Sequence, residues 1–414
     1  MLQYQMKKLK NGLTCLYVPL ETPGSACSNI VYNIGSANER PGEFGLSHLL
    51  EHAMHFGSKN FNAFTPGGLI TDMELKAAVE NATTSFYRTN YFLVVPVQFL
   101  KDVVDREADR MKGLDVGIFA ERLKKECTVV LNEMEIGQTN DMRLMMNALN
   151  ACAFQIAPNG HSTIGQKKHL YAAVDMKGET LLAYHKRSYT PDNATLVLAG
   201  PFNESTSTID ELHAHVEYAF GDIEGTSSDA NNYEEEPQQT GARSFTLPGE
   251  ATMFVTAFRA PPGVHQDSIA LSVLSRTMKY RMEDLEKKKL CMQTECMFDR
   301  SRQSSLFTAW CVGFQKPDLI RASVSEIVRQ MQTNVPITAA EMKKAKSELK
   351  DGWTAQLQSS QGVADAFTEA VAMGNTNDVN TKFDALEKVT VDDLQRVAKT
   401  WLVETGTTFG LMYP

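Results

Sequence analysis

The sequence predicts an α+β fold whose pattern of elements is used twice. Three observations predict it. Short β-branched runs alternate with helical stretches along the whole chain. One polar stretch, EGTSSDANNYEEEPQQTGAR at residues 224–243, has almost nothing to bury and reads as a linker. The order of elements in 1–223 returns in 244–414, which signals an internal duplication at the domain level. Both segments are of ordinary domain size.

The first half opens with strands at Leu13–Val18 and Ser28–Ile34, separated by the turn chemistry of ETPGSA. A loop with Gly and Pro, Gly35–Gly45, leads into a helix at Leu46–Phe56, where Leu46, Leu49, Leu50, Ala53 and Met54 share an apolar face. Ser85–Val97 reads as a strand. Val97–Arg110 and Ile118–Gln138 read as helices, the second rich in strong helix formers. Leu181–Arg187 is a helix end, and Ala194–Ala199 is a buried strand. In the second half, Ser244–Leu247 and Ala251–Arg259 are strands and Ser268–Lys288 is a helix. Leu306–Val312 is a strand, Ala339–Met373 a long helical stretch, Val391–Leu402 a helix and Thr407–Met412 a closing strand. The Glu234–Glu236 run reads as solvated linker.

Composition excludes several classes. Across 414 residues, 43% are hydrophobic and 41 basic residues face 50 acidic ones, a net charge of −9. That fraction can bury real cores, so disorder is excluded for the bulk of the chain. The longest apolar run, Tyr91–Leu100, is far short of the roughly 20 residues of a membrane span. A net negative chain lacks the basic footprint of a nucleic-acid binder. The seven cysteines are scattered, odd in number and without a CxxC pair. Reduced thiols are expected, rather than a disulfide framework. The N-terminus has no apolar signal core. The expectation is a cytoplasmic protein, or one of the mitochondrial matrix if a leader has been removed.

Chemistry concentrates in His48-Leu49-Leu50-Glu51-His52. Helix positions i and i+4 lie about 40° apart around the axis, so both imidazoles can face one metal ion. Zinc takes His nitrogen readily, and catalytic zinc sites hold three protein ligands and a water. Glu51 sits near the same rim and can act as general base on that water. His55 is a lesser candidate ligand. A third ligand is required, and Glu126 and Glu133 lie on one face of the Ile118–Gln138 helix, seven residues apart. By spacing alone they could equally be solvated surface acids.

The HLLEH motif inverts the HExxH order and resembles the pitrilysin/insulinase family of zinc peptidases, the inverzincins. The similarity extends through Gly35-Ser36, Asn38-Glu39-Arg40 and GLSHLLEH, then ENATTSFYRTNYF, ERLKKECTVVLNEMEIGQ, GHSTIG and YTPDNATLVLAGPF. It is closest to the half-length, two-domain members, which include bacterial peptidases and mitochondrial processing peptidase subunits. The resemblance implies two related domains, each a mainly antiparallel sheet packed with helices. It implies His48, His52 and Glu133 as zinc ligands, Glu51 as general base and Glu126 as support for the site. Asn81, Ala82 and Thr84 match the edge-strand segment that binds substrate backbone, a role suited to unpaired N–H and C=O groups.

Two departures stand out. KAAVENA replaces the Gly-Gly that often precedes the Asn-Ala pair. In the second half, the family's LRxxxxLxY stretch corresponds to LEKKKLCMQ, with Glu286 and Gln293 at the Arg and Tyr positions; Arg281 matches an earlier Arg. The implied activity is a zinc endopeptidase acting on peptides or unfolded segments. Half-length members resemble one side of a clamshell chamber, so a dimer is expected, a heterodimer in preference to a homodimer. The competing expectation is a non-catalytic structural or partner subunit of a processing-peptidase-like or respiratory-complex assembly.

Overall fold

The computed structural model describes residues 2–21, 24–55, 58, 60–61, 79–114, 116–156, 160–175, 178–203, 205–225, 236–333 and 337–414, with 116–121 as backbone alone. The end of the first helix at Phe56, residues 76–78 and residues 226–235 of the linker therefore lie outside the described residues. The chain forms two compact units. One comprises Met1–Glu135, Ser162–Asn232 and Gln356–Ala372; the other comprises Ile136–His161, Tyr233–Ala355 and Met373–Pro414.

The first unit is built on a six-stranded sheet. Its strands are β1 (Gln5–Lys8), β2 (Thr14–Pro19), β3 (Ser25–Tyr32), β4 (Val79–Thr84), β5 (Thr89–Pro96) and β6 (Ala194–Gly200). They lie in the order β1-β2-β6-β3-β5-β4, so β4 is an edge. Only the β2–β6 pair is parallel. Every residue of β6 is buried, as expected of a central strand covered on both faces. One face packs α1 (Leu46–Met54), α2 (Leu100–Lys112) and part of α3 (Val116–Gln138). The reading of Ser85–Val97 as one strand is corrected at its start. Ser85 and Arg88 close a two-residue turn, with Ser85 N–H donating to Arg88 O at 2.8 Å and Arg88 N–H donating to the Ser85 hydroxyl at 3.3 Å. The strand proper begins at Thr89. Further helices α4 (Asp141–Ala153), α5 (Lys167–Asp175), α6 (Glu179–Ser188) and α7 (Ile209–Phe220) follow, of which α4 belongs to the second unit.

The second unit carries β7 (Arg243–Pro248), β8 (Met253–Ala260), β9 (Gln293–Phe298), β10 (Ser305–Val312) and β11 (Thr407–Tyr413). Their order is β7-β11-β8-β10-β9. The β7–β11 pair is parallel and the others antiparallel. This is the arrangement β2-β6-β3-β5-β4 over again, strand for strand, so the repetition seen in the sequence is a repetition of sheet topology. Helices α8 (Ser268–Lys287), α9 (Pro317–Gln332), α10 (Ala339–Gln356), α12 (Asp378–Lys388) and α13 (Val391–Trp401) belong to this unit, whereas α11 (Ser360–Met373) is counted almost wholly in the first.

Two further expectations are corrected. Ala339–Met373 is two helices, because Ser359 starts a new one. Its hydroxyl accepts from Gly362 N–H and its carbonyl from Val363 N–H, both at 3.0 Å. Glu236 is not solvated linker. It is buried, accepts from the backbone N–H of Gln155 and Ile156 at 2.8 and 2.6 Å, and lies 3.5 Å from Arg259. A buried carboxylate persists only with such partners. All seven cysteines are free. Among the described residues, no helix is long and apolar enough to cross a membrane.

Candidate active site

Helix α1 is built to hold a fixed position. Leu46, Leu49, Leu50, Ala53 and Met54 are buried in the first unit's core, which turns His48, Glu51 and His52 toward the partly open side. The helix starts at Gly45, in the left-handed region at φ 105°, where a side chain would be strained. Glu39 supplies the cap that glycine lacks. Its carboxylate accepts from Gly45 N–H at 2.9 Å and Ser47 N–H at 2.7 Å, an acceptor at the positive end of the helix. Burial pushes its carboxyl up to about 8, against the pull of those N–H groups.

The two imidazoles meet at a ring-centroid distance of 4.8 Å. Glu133, on α3, points between them: its Oε2 lies 3.6 Å from His48 Nε2 and 3.7 Å from His52 Nε2. One ligand atom from each of the three falls within 4.8 Å of the others. These separations are long for hydrogen bonds. They suit three atoms around a shared tetrahedral ion: with bonds of about 2.0–2.1 Å, zinc ligands sit roughly 3.3–3.4 Å apart. The donor set, two nitrogens and a carboxylate, is also one zinc accepts. Glu126, two turns before Glu133, approaches His52 Nδ1 at 3.3 Å. A carboxylate there favours the proton on Nδ1 and leaves the Nε2 lone pair facing Glu133 and His48.

Glu51 faces the edge strand, where the Thr84 hydroxyl donates to it. Burial raises the Glu51 carboxyl above the ordinary carboxylate range; Thr84, His52 and His55 pull it back, and Glu133 adds a further push. Along β4, Glu80, Ala82 and Thr84 lie on the α1 side, while Asn81 and Thr83 are exposed on the other. Among the described residues, β4 is the edge strand of the sheet. Of the residues matched to substrate binding, Thr84 therefore touches the proposed base and Ala82 packs in the core. Asn81 accepts from Ala82 N–H at 2.8 Å. His55 turns away from the ligand set toward Glu80, at 3.3 Å.

In the second unit, Glu286 accepts from the Thr294 N–H and hydroxyl at 2.6 and 2.5 Å. Gln293 is exposed at the start of β9, the edge that corresponds to β4. Arg281 pairs with Glu341 at 3.0 Å. Sequence reasoning gave no role to Glu39, Glu80 or Arg106, although Glu39 and Glu80 lie in the segments Asn38-Glu39-Arg40 and ENATTSFYRTNYF. Only the acidic or basic identity of each was visible, because their partners come from other elements.

The described residues join a duplicated α+β scaffold to a His/His/Glu cluster that could hold a metal ion, beside the edge strand β4. Comparison with known proteins makes that specific. A family model described as Insulinase (Peptidase family M16) matches residues 20–167, and one described as Peptidase M16 inactive domain matches residues 175–349. The chain is 24% identical over 429 residues to a protein of Helicobacter pylori named Zinc protease PqqE, covering 100% of this chain and 93% of that one. It is 27% identical over 246 residues to the mitochondrial-processing peptidase subunit beta of Blastocladiella emersonii, covering 59% of this chain and 47% of that one. A rice stromal processing peptidase matches over 262 residues at 24%, where the match spans only 20% of the longer protein. Among solved structures, a protease from Helicobacter pylori shares the fold at TM-score 0.90 and 23% identity over the whole of both chains. An M16-like peptidase from Alicyclobacillus acidocaldarius does so at 0.81 and 15%, over 100% of this chain and 98% of that one. The chain belongs to peptidase family M16, the insulinase family.

Proposed function

We propose that this protein is a zinc-dependent endopeptidase acting on peptides or unfolded segments. One observation carries the reading: His48, His52 and Glu133 bring three ligand atoms within 4.8 Å of one another, with Glu51 alongside and the β4 edge next to it. Zinc held by these three residues would polarise the scissile carbonyl and lower the pKa of a bound water. Glu51 takes the proton of the attacking water and returns it to the leaving amine. Its raised carboxyl suits it to hold that proton, and the Thr84 hydroxyl fixes its orientation. Glu126 orients His52 through Nδ1. The substrate lies extended along Asn81–Thr84, pairing its backbone with the open edge irrespective of its side chains.

Zinc analysis paired with Glu51→Gln tests this. We expect about one zinc per chain in both proteins, and cleavage slower by roughly 10²–10⁴-fold in the variant. Absence of both zinc and cleavage in the wild type would refute the enzyme. That result would favour the second reading, a non-catalytic partner or structural subunit, which the engagement of Glu286 with Thr294 and the exposed Gln293 support.

The same departure bears on partners. In this proposal the chain is one half of a dimeric chamber, and a different subunit supplies the Arg and Tyr absent here. Sedimentation of the native protein as a self-associated species with full activity would count against the heterodimer. The free cysteines support a reducing compartment, with the cytoplasm proposed. Recovery in an organellar fraction would overturn that assignment.

A further inference from the structure

Next to the proposed ligands runs a chain of charged groups that the mechanism above does not use. His55 stands at the C-terminal end of α1, and its Nδ1 lies 3.3 Å from Glu80 Oε1 on β4. Glu80 is gripped from behind by Arg106 of α2, with NH1 donating to Oε2 at 3.0 Å and NH2 to Oε1 at 2.6 Å. Arg110 approaches the same carboxylate at 3.7 Å. Both arginines are almost fully buried, with side chains 3% and 1% exposed. Arg110 is fixed in turn by Glu107, at 2.5 and 2.6 Å, and its guanidinium lies 4.6 Å from the centroid of the Tyr91 ring. Tyr91 is the residue of β5 directly opposite Ala82 of β4.

One turn earlier on α1, Glu51 receives the Thr84 hydroxyl. Helix and strand are therefore joined at two points, Glu51 to Thr84 and His55 to Glu80. The partners are four residues apart on each element. Four residues advance about 6 Å along a helix and about 13 Å along a strand. Two such contacts fix both the separation and the tilt of β4 relative to the helix that carries His48 and His52. A single contact would leave the tilt free.

The charge of Glu80 is already matched by Arg106, with Arg110 close by. It is thus poorly suited to attract a substrate side chain, and it lies outside the ligand cluster. We infer that His55, Glu80 and Arg106 are positioning residues: they set the height and tilt of the substrate-binding strand over the metal-site helix. This rests on the peptidase reading. A peptide paired to β4 takes its position from β4, so a loosened strand presents the scissile bond out of line. A misplacement of about 1 Å can cost on the order of 10²-fold in rate.

His55→Ala in the full-length, zinc-loaded protein is the test. The His55 side chain is one-third exposed, and Glu80 keeps Arg106, so the fold is retained. Three quantities are measured: zinc per chain, amide exchange of the β4–β5 ladder, and kcat and KM on an extended reporter peptide. We expect unchanged zinc, ladder exchange faster by about fivefold, and kcat lower by about tenfold with KM changed less than about twofold. His55→Gln, whose amide nitrogen can still donate to Glu80, should recover most of the loss. Unchanged ladder exchange in His55→Ala overturns the inference. So does loss of zinc in step with kcat, or a glutamine variant no better than alanine. If the wild type cleaves nothing, the peptidase reading falls by itself. The exchange comparison then still decides whether the contacts hold the strand.

Discussion

Two glutamates flank α1, Glu39 buried and Glu80 partly buried, and their surroundings drive them in opposite directions. Glu39, at the start of α1, has backbone N–H partners, and burial raises it to about 8. Glu80 is also penalised by burial, but His55, Arg106 and Arg110 outweigh that penalty and bring it down to about 2. The signs of their contributions follow from linkage. The folded value of Glu39 exceeds the unfolded one. The stability it lends is complete below about pH 4.5 and is lost as pH rises through 8. For Glu80 the contribution is present above about pH 4.5 and lost as pH falls through 2. Denaturant midpoints measured from pH 2 to 9 should show it. Glu39→Gln flattens the profile between pH 4.5 and 8, whereas Glu80→Gln flattens the acid limb and costs on the order of 3 kcal/mol at neutral pH. An acid limb unchanged in Glu80→Gln would mean that the arginine pair does not depress this carboxylate. At this scale HLLEH was legible because identity and spacing share five residues. Glu39 and Glu80 were not, since an isolated Glu has no meaning until the backbone N–H groups or arginines of other elements surround it.

Among elements, α1 owes its placement to a close approach of two glycines. Gly165, the last residue of GHSTIG, has φ 83°, and a Cβ built on it would lie 2.2 Å from both Gly45 Cα and Phe44 O. Gly45 itself would meet Ile164 O at 2.9 Å. The GHSTIG block was recognisable only as a resemblance. The structure gives part of it a physical purpose, which is to let one backbone lie against the launch point of α1, the helix that carries His48 and His52. Gly165→Ala should therefore cost on the order of 3 kcal/mol, from the left-handed backbone and the collision together. It should also weaken zinc binding, because relief requires α1 to move. Thermal unfolding and zinc titration of the variant test this, and a normal melt with normal zinc affinity would refute it. Strand periods and apolar stripes gave the elements themselves nearly in place, as at Ala194–Gly200 and Thr407–Tyr413. They left out β1 and β9, the helices α4, α5, α7, α9 and α12, and the break at Ser359 between α10 and α11. Both flanks are good helix sequence, and only the capping by Ser359 ends one helix and starts the next.

For the whole molecule, that break matters because it lets the two halves of the sequence exchange helices. α11, from the second half, serves the first unit. Asp365 on α11 accepts from Asn29 of β3 at 2.9 Å, and Asn29 accepts from Asn90 of β5 at 3.0 Å. Thr83 on β4 donates to Asn90 at 2.6 Å, so this ladder runs from α11 to the edge strand β4. Phe367 of α11 is fully buried and meets the Tyr4 ring at 5.0 Å. Reciprocally, α4 from the first half serves the second unit, burying Met145, Leu149 and Ala153 against Met253, Val255, Trp310 and Met412. An apolar stripe on a helix tells that the helix covers something but not which sheet, so a linker read from composition could not reveal the exchange. The consequence is testable by cutting the chain there. A fragment of residues 1–232 lacks α11, which belongs to its own unit, and carries an α4 face without its partners in the second unit. Burying one large apolar side chain is worth roughly 1.5–3 kcal/mol, and several are lost at once. That is comparable with the whole stability of a domain. The fragment alone should show no cooperative thermal transition and should bind zinc weakly. Co-expression with residues 233–414 should restore both, because the missing helices are supplied in trans. A cooperative melt and full zinc binding by residues 1–232 alone would show that the exchanged helices are dispensable and that the first unit stands on its own sequence.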